Sequence, residues 1–199
     1  MACRETAMGT FEFLARPLWV NLLLLVPFVA YPLFRRGRLQ LTARELFAAA
    51  IFALSFAFVE ATVAIYLGAA VGLVQRDAGT FSNIEQLFGT LSAHAGCLGD
   101  LMPNLFAVER FREASTILIL VSVAILAEPK RTERFAVFLW IFAIWDIGYY
   151  AALWMTVRWP ASLTNPDVLF FIPVPWTAQV WFPILVSILT VAVVLRTRH

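Results

Sequence analysis

Phe106-Ala-Val-Glu-Arg-Phe-Arg-Glu-Ala-Ser-Thr116 runs without a break into the apolar stretch Ile117–Ala127. Two glutamates and two arginines therefore stand at the mouth of a segment that reads as a membrane-spanning helix. On a helix, Glu109, Arg112, Glu113 and Thr116 fall at i, i+3, i+4 and i+7, which is one face. Two other apolar runs each carry one acid, Glu60 and Asp146. A charge inside a bilayer is costly and faces a partner or a cavity.

Composition sets the class. Of 199 residues, 61% are hydrophobic and only 14% charged, whereas a soluble domain is about half apolar and about a quarter charged. Mean hydropathy is +0.81. Seven Trp and eighteen Phe suit membrane interfaces and tight helix packing. The net charge of +2 is small and dispersed, which argues against a nucleic-acid partner. Cys3 and Cys97 match no metal or redox spacing; either they are free thiols or they pair in an oxidising compartment.

The chain reads as an all-α polytopic membrane protein, one integral membrane domain over residues 1–199 with five transmembrane helices at about 18–34, 46–74, 106–127, 135–157 and 176–195. The first span is followed by Arg35-Arg36-Gly37-Arg38 and no small-residue cleavage site, which reads as a retained anchor kinked at Pro27. Around Glu60, the residues Ala49, Ala53, Ala57, Ala64 and Gly68 share one side of the second span; small residues mark close helix contact, so Glu60 should face the bundle. Residues 75–105 read as an amphipathic surface helix that opens on a Ser82/Glu85 capping box and closes at Pro103. Glu128–Arg134 is a short turn, which makes the third and fourth spans antiparallel neighbours. Arg158–Pro175 contains four prolines and cannot be a regular helix throughout; its Leu169–Ile172 is apolar enough to enter the interface.

Nine Lys and Arg residues flank the 1–2 turn, the 3–4 turn and the C-terminal tail, against six elsewhere. The positive-inside rule then places the N-terminus outside the plasma (inner) membrane and the C-terminus in the cytoplasm, with the surface helix extracytoplasmic. Glu60 lies fourteen residues past Leu46, about 21 Å into a core of roughly 30 Å. Counted the same way, Glu113 is about 10 Å deep from the outer side and Asp146 is near mid-depth, with Tyr149 and Tyr150 about 5 Å further out. Polar groups of three spans thus converge in the outer half.

These residue types suggest three uses. Glu60 and Asp146 are candidate catalytic acid–base groups or proton carriers. Glu109, Arg112, Glu113, Tyr149, Tyr150 and Asp167 are candidate binding residues, with Arg112 as the anion holder of an enzyme and Tyr149 or Tyr150 as hydrogen-bond donors to Asp146. The bland alternative is a self-neutralising ion network in which Arg110 and Arg112 balance Glu109 and Glu113. A metal is one candidate occupant of such an acidic pocket, but di-metal carboxylate sites carry Glu-x-x-His pairs, and none exists here, so no metal-ligand residue is singled out and the cofactor is left open. His94 sits near Cys97 and Asp100 and reads as an interfacial side chain or a base mounted on the surface segment; His199 is terminal. There is no Walker loop, dinucleotide fingerprint, His-Glu-x-x-His or Gly-x-Ser-x-Gly. The expectation is an acidic pocket with one arginine that binds a polar lipid head group or a small cationic solute, with turnover left open. The alternatives are an accessory or structural subunit, or homo-oligomer, within a membrane complex, and a small proton-coupled transporter. The lipid bilayer itself is an expected partner for such a chain.

Overall fold

The computed structural model describes residues 13–74 and 103–198. Residues 75–102 lie outside the described residues, and with them the expected surface helix, His94, Cys97 and Asp100; so do Cys3 and His199.

Five α-helices account for most of the described chain: α1 (Val26–Gly37), α2 (Ala43–Val74), α3 (Pro103–Ala127), α4 (Arg131–Val157) and α5 (Trp181–Thr197). A 3-10 helix, Leu18–Leu25, leads directly into α1. Three segments are long and apolar enough to cross a membrane: Leu18–Gly37, Ala43–Leu67 and Arg131–Val157, of 20, 25 and 27 residues. The other two helices fall short for identifiable reasons. The first turns of α3 carry Glu109, Arg110, Arg112 and Glu113. α5 has 17 residues, about 26 Å of rise.

Large apolar side chains stand exposed on the surface. Phe28, Val29, Phe47, Phe111, Leu118 and Leu126 are each more than 60% exposed, a density of exposed apolar side chains that water-soluble proteins avoid. With the three long apolar helices, this is consistent with an integral membrane protein.

α4 is the central element and packs most extensively on α2, then on α5 and α3. The reason is written in small residues. Ala53 and Ala57 of α2 are fully buried. A Cβ built at Gly148 of α4 would stand 3.0 Å from the Ala57 Cβ and 3.0 Å from Leu54 Cδ2, so a larger residue there would push these neighbours away and loosen a close helix contact. Below this contact a continuous core of Leu46, Leu120, Ala124, Val137, Ile141 and Val194 is closed to solvent.

Two features differ from the all-α expectation. Pro166–Phe170 (β1) and Trp176–Gln179 (β2) form an antiparallel hairpin with a bulge between Val168 and Phe170. The prolines sit where a ladder tolerates them, at the first residue of β1 and in the connection at 173 and 175. The outer side of β2 is covered by Arg16, whose N–H and C=O both pair with Thr177 at 2.8 Å. The expected fifth span, 176–195, therefore starts as strand and becomes helix at Trp181. Pro103 opens α3, where a missing N–H costs nothing. The break near Pro27 is a change from 3-10 to α geometry at Val26.

The 1–2 turn, the 3–4 turn and the C-terminus lie together at one end. Leu39 bridges to Arg198, and Gln40 donates its N–H to Glu133 Oε1 while its side chain accepts from Lys130 Nζ. Glu128 at this end is covered but shallow. Burial first, then the nearby carboxylates of Glu45 and Glu133, raise its pKa above the ordinary glutamate value. A raised folded-state pKa gives stability at low pH that is lost as pH rises through it. Glu128→Gln should therefore flatten the pH dependence of thermal stability. As pH rises above the ordinary glutamate range the wild-type melting temperature should fall further than that of the variant, as read by scanning fluorimetry in detergent.

Candidate functional site: an acidic, aromatic cavity under the hairpin

At the opposite end, the first turns of α3, the middle of α2 and the second half of α4 do not close on one another. They leave a cavity of about 190 Å³, covered by the hairpin and flanked by the start of α5. All eight residues singled out from the sequence line it: Glu60, Glu109, Arg112, Glu113, Asp146, Tyr149, Tyr150 and Asp167.

The polar groups are held in a definite order. Arg112 is the hub. Its Nη1 contacts Glu60 Oε2 across the helices, and its Nε and Nη2 grip Glu109 one turn earlier on α3, with Nε at 3.0 Å from both carboxylate oxygens. Glu60 accepts a further hydrogen bond from Thr116 Oγ1 at 3.1 Å. Both Glu60 and Thr116 are buried, at 6% and 3% exposure. The i, i+3, i+4, i+7 face of α3 thus turns inward as a unit. Arg110 leaves that face: it is exposed and lies over the Phe106 ring, 5.9 Å from the centroid.

Glu113 does not join the arginine. It reaches the covering segment, where Oε2 accepts the Phe171 N–H at 2.8 Å. This bond satisfies a backbone donor just beyond β1. Asp146 is not held by a tyrosine, contrary to the sequence expectation. Its Oδ2 accepts from Ser187 Oγ of α5 at 2.8 Å, and the Tyr150 hydroxyl instead donates to Asp167 Oδ2 at 2.7 Å. The reason is helical direction: Tyr150 lies four residues past Asp146, one turn nearer the hairpin, which brings its hydroxyl to β1. Ser187 was not anticipated; the signal available was a hydroxyl among the apolar residues in the first half of α5.

Among the described residues, five carboxyl groups and one guanidinium line the cavity. Like charges this close repel unless a cation or a proton intervenes. No group of three His, Cys, Asp or Glu side chains is arranged to hold a metal ion among the described residues.

No family model matches the chain, and no curated protein and no solved structure is significantly similar to it.

The Glu113–Phe171 bond makes a local prediction. Glu113→Ala should leave the Phe171 N–H without an acceptor, a loss of about 1–3 kcal/mol. Amide exchange at 168–172 should speed up by about tenfold or more in hydrogen–deuterium exchange. Glu113→Gln keeps an acceptor in place and should retain most of the protection.

Proposed function

We propose that the cavity is a binding site for a small molecule or lipid head group that carries a positive charge. The observation that carries this reading is the five carboxyl groups set against one arginine, together with that arginine's engagement by Glu60 and Glu109. An anionic ligand would have to displace a glutamate from Arg112 and approach the remaining acids. A cation meets attraction from every side, and an ion pair at about 4 Å in a partly buried site is worth on the order of 4 kcal/mol before desolvation. The closed core beneath the cavity favours a dead-end pocket over a through-path. Glu60 or Asp146 would be the acid–base group if the bound molecule also reacts.

The site test is direct. In maltoside detergent, a panel of small organic cations should raise the melting temperature of the wild-type protein, while matched anions and neutral solutes should not. Asp146→Asn, which keeps a hydrogen-bond acceptor for Ser187, should weaken cation binding about tenfold, or about 1.4 kcal/mol. Absence of stabilisation by any cation, or an unchanged affinity in both Asp146→Asn and Glu60→Gln, would remove the reading.

Around the pocket we propose a bundle of five spans in the plasma membrane, with α3 and α5 completing it. The basic end, rich in Lys and Arg, would face the cytoplasm and the hairpin the exterior. Single cysteines introduced at Ser162 and at Lys130, with Cys3 and Cys97 replaced, test this in whole cells. An impermeant thiol reagent should label position 162 and not 130; the reverse pattern inverts the topology.

A further inference from the structure

Resting on the cationic reading, we infer that the group this pocket takes is an alkylated ammonium of the trimethylammonium kind, borne by a free solute or by a lipid head group.

The first ground is a belt of rings. Trp176, Phe170, Phe142, Trp145, Tyr149 and Tyr150 all line the cavity, and each ring lies against the next. Successive centroids are 5.3, 6.4, 5.5, 6.4 and 5.4 Å apart. The belt runs from β2 through β1 onto α4, so it exists only when the hairpin is in place. A second pair, Phe106 and Phe171 at 5.4 Å, joins α3 to the covering segment. Aromatic faces attract a diffuse cation through their quadrupole, and quaternary ammonium groups are the ligands for which such enclosures are best suited.

The second ground is acceptor supply. A primary ammonium has three donors to satisfy. Yet each of the five carboxyl groups already accepts from the protein: Glu60 from Arg112 and Thr116, Glu109 from Arg112, Glu113 from Phe171 N–H, Asp146 from Ser187 Oγ and Asp167 from Tyr150. Fewer acceptor lone pairs are left for a donor-rich ligand. A quaternary ammonium needs charge and contact, and no hydrogen bonds. The same shortage disfavours a bare metal ion, which demands several converging oxygens, and no such group of side chains exists among the described residues.

The third ground is size. By the same measure one water requires about 10–15 Å³, and the cavity has about 190 Å³. It has room for a bulky head group where a bare ion or ammonium would leave most of it empty.

The experiment is a titration of the full-length protein in maltoside detergent, followed by tryptophan fluorescence and calorimetry, with ammonium, ethanolamine, tetramethylammonium and choline. Affinity should rise with N-methylation, with choline at least about tenfold tighter than ethanolamine. Phe142→Leu and Tyr149→Leu, each checked for an unchanged melting profile, should abolish that preference while ethanolamine binding persists. Ethanolamine binding as tightly as choline, or a preference for choline intact in both ring variants, overturns the inference and leaves the cationic reading standing. No binding of any of the four overturns both. Nanodiscs separate the two sources. If phosphatidylcholine discs, but not phosphatidylglycerol discs, block choline, the lipid head group is the ligand. If choline binds equally in both, the ligand is a free solute; either result supports the inference.

Discussion

The contact on which the site depends is the Arg112 guanidinium held between Glu60 of α2 and Glu109 of its own helix. In an apolar bundle an uncompensated charge is far more costly than a paired one, so a pair buried this way acts as a registration device at least as much as a source of stability. It fixes the rotation of α3, because only one face carries Glu109, Arg112, Glu113 and Thr116. It also fixes the height of α3 against α2, because Glu60 must meet Arg112 and Thr116 together. Once α3 is set this way, Glu113 has nowhere to go but the covering segment.

The cavity follows from a contrast in packing. α2 and α4 meet through Ala57 and Gly148 with no space between them. α2 and α3 meet at this level through long side chains, and that leaves room. The buried clusters on either side of it leave this space unfilled. The hairpin covers it, anchored by Tyr150 to Asp167 and by Glu113 to Phe171. The same prolines that prevent a helix at 158–175 thus end up at the margins of the cover. Trp19 against Trp176 and Arg158 over Trp154 place amphipathic rings around this end, as at the boundary between hydrocarbon and water.

Much of this was legible in the sequence, and for specific reasons. Apolar runs of 20 residues or more have few alternatives to a helix in the interior of a bilayer, so the segments containing Glu60 and Asp146 were identifiable by length alone. The alanines beside Glu60 marked its contact side because only small residues let helices approach. The spacing of Glu109, Arg112, Glu113 and Thr116 put them on one face whatever the fold around them. The two short helices were harder to classify: α3 begins among its charges, and α5 is preceded by a strand that composition alone merges with it.

What the chain's order of residues determined, then, is a set of apolar helices, the face each polar group occupies and its depth along its own helix, because these are properties of one segment and its period. What only the tertiary structure decided is pairing. Asp146 with Ser187, Tyr150 with Asp167 and Glu113 with a backbone N–H join segments 17 to 58 residues apart. Each carboxylate had several chemically equivalent partners in the sequence. The choice among them was made by helix rotation and by a hairpin whose outer edge pairs with Arg16.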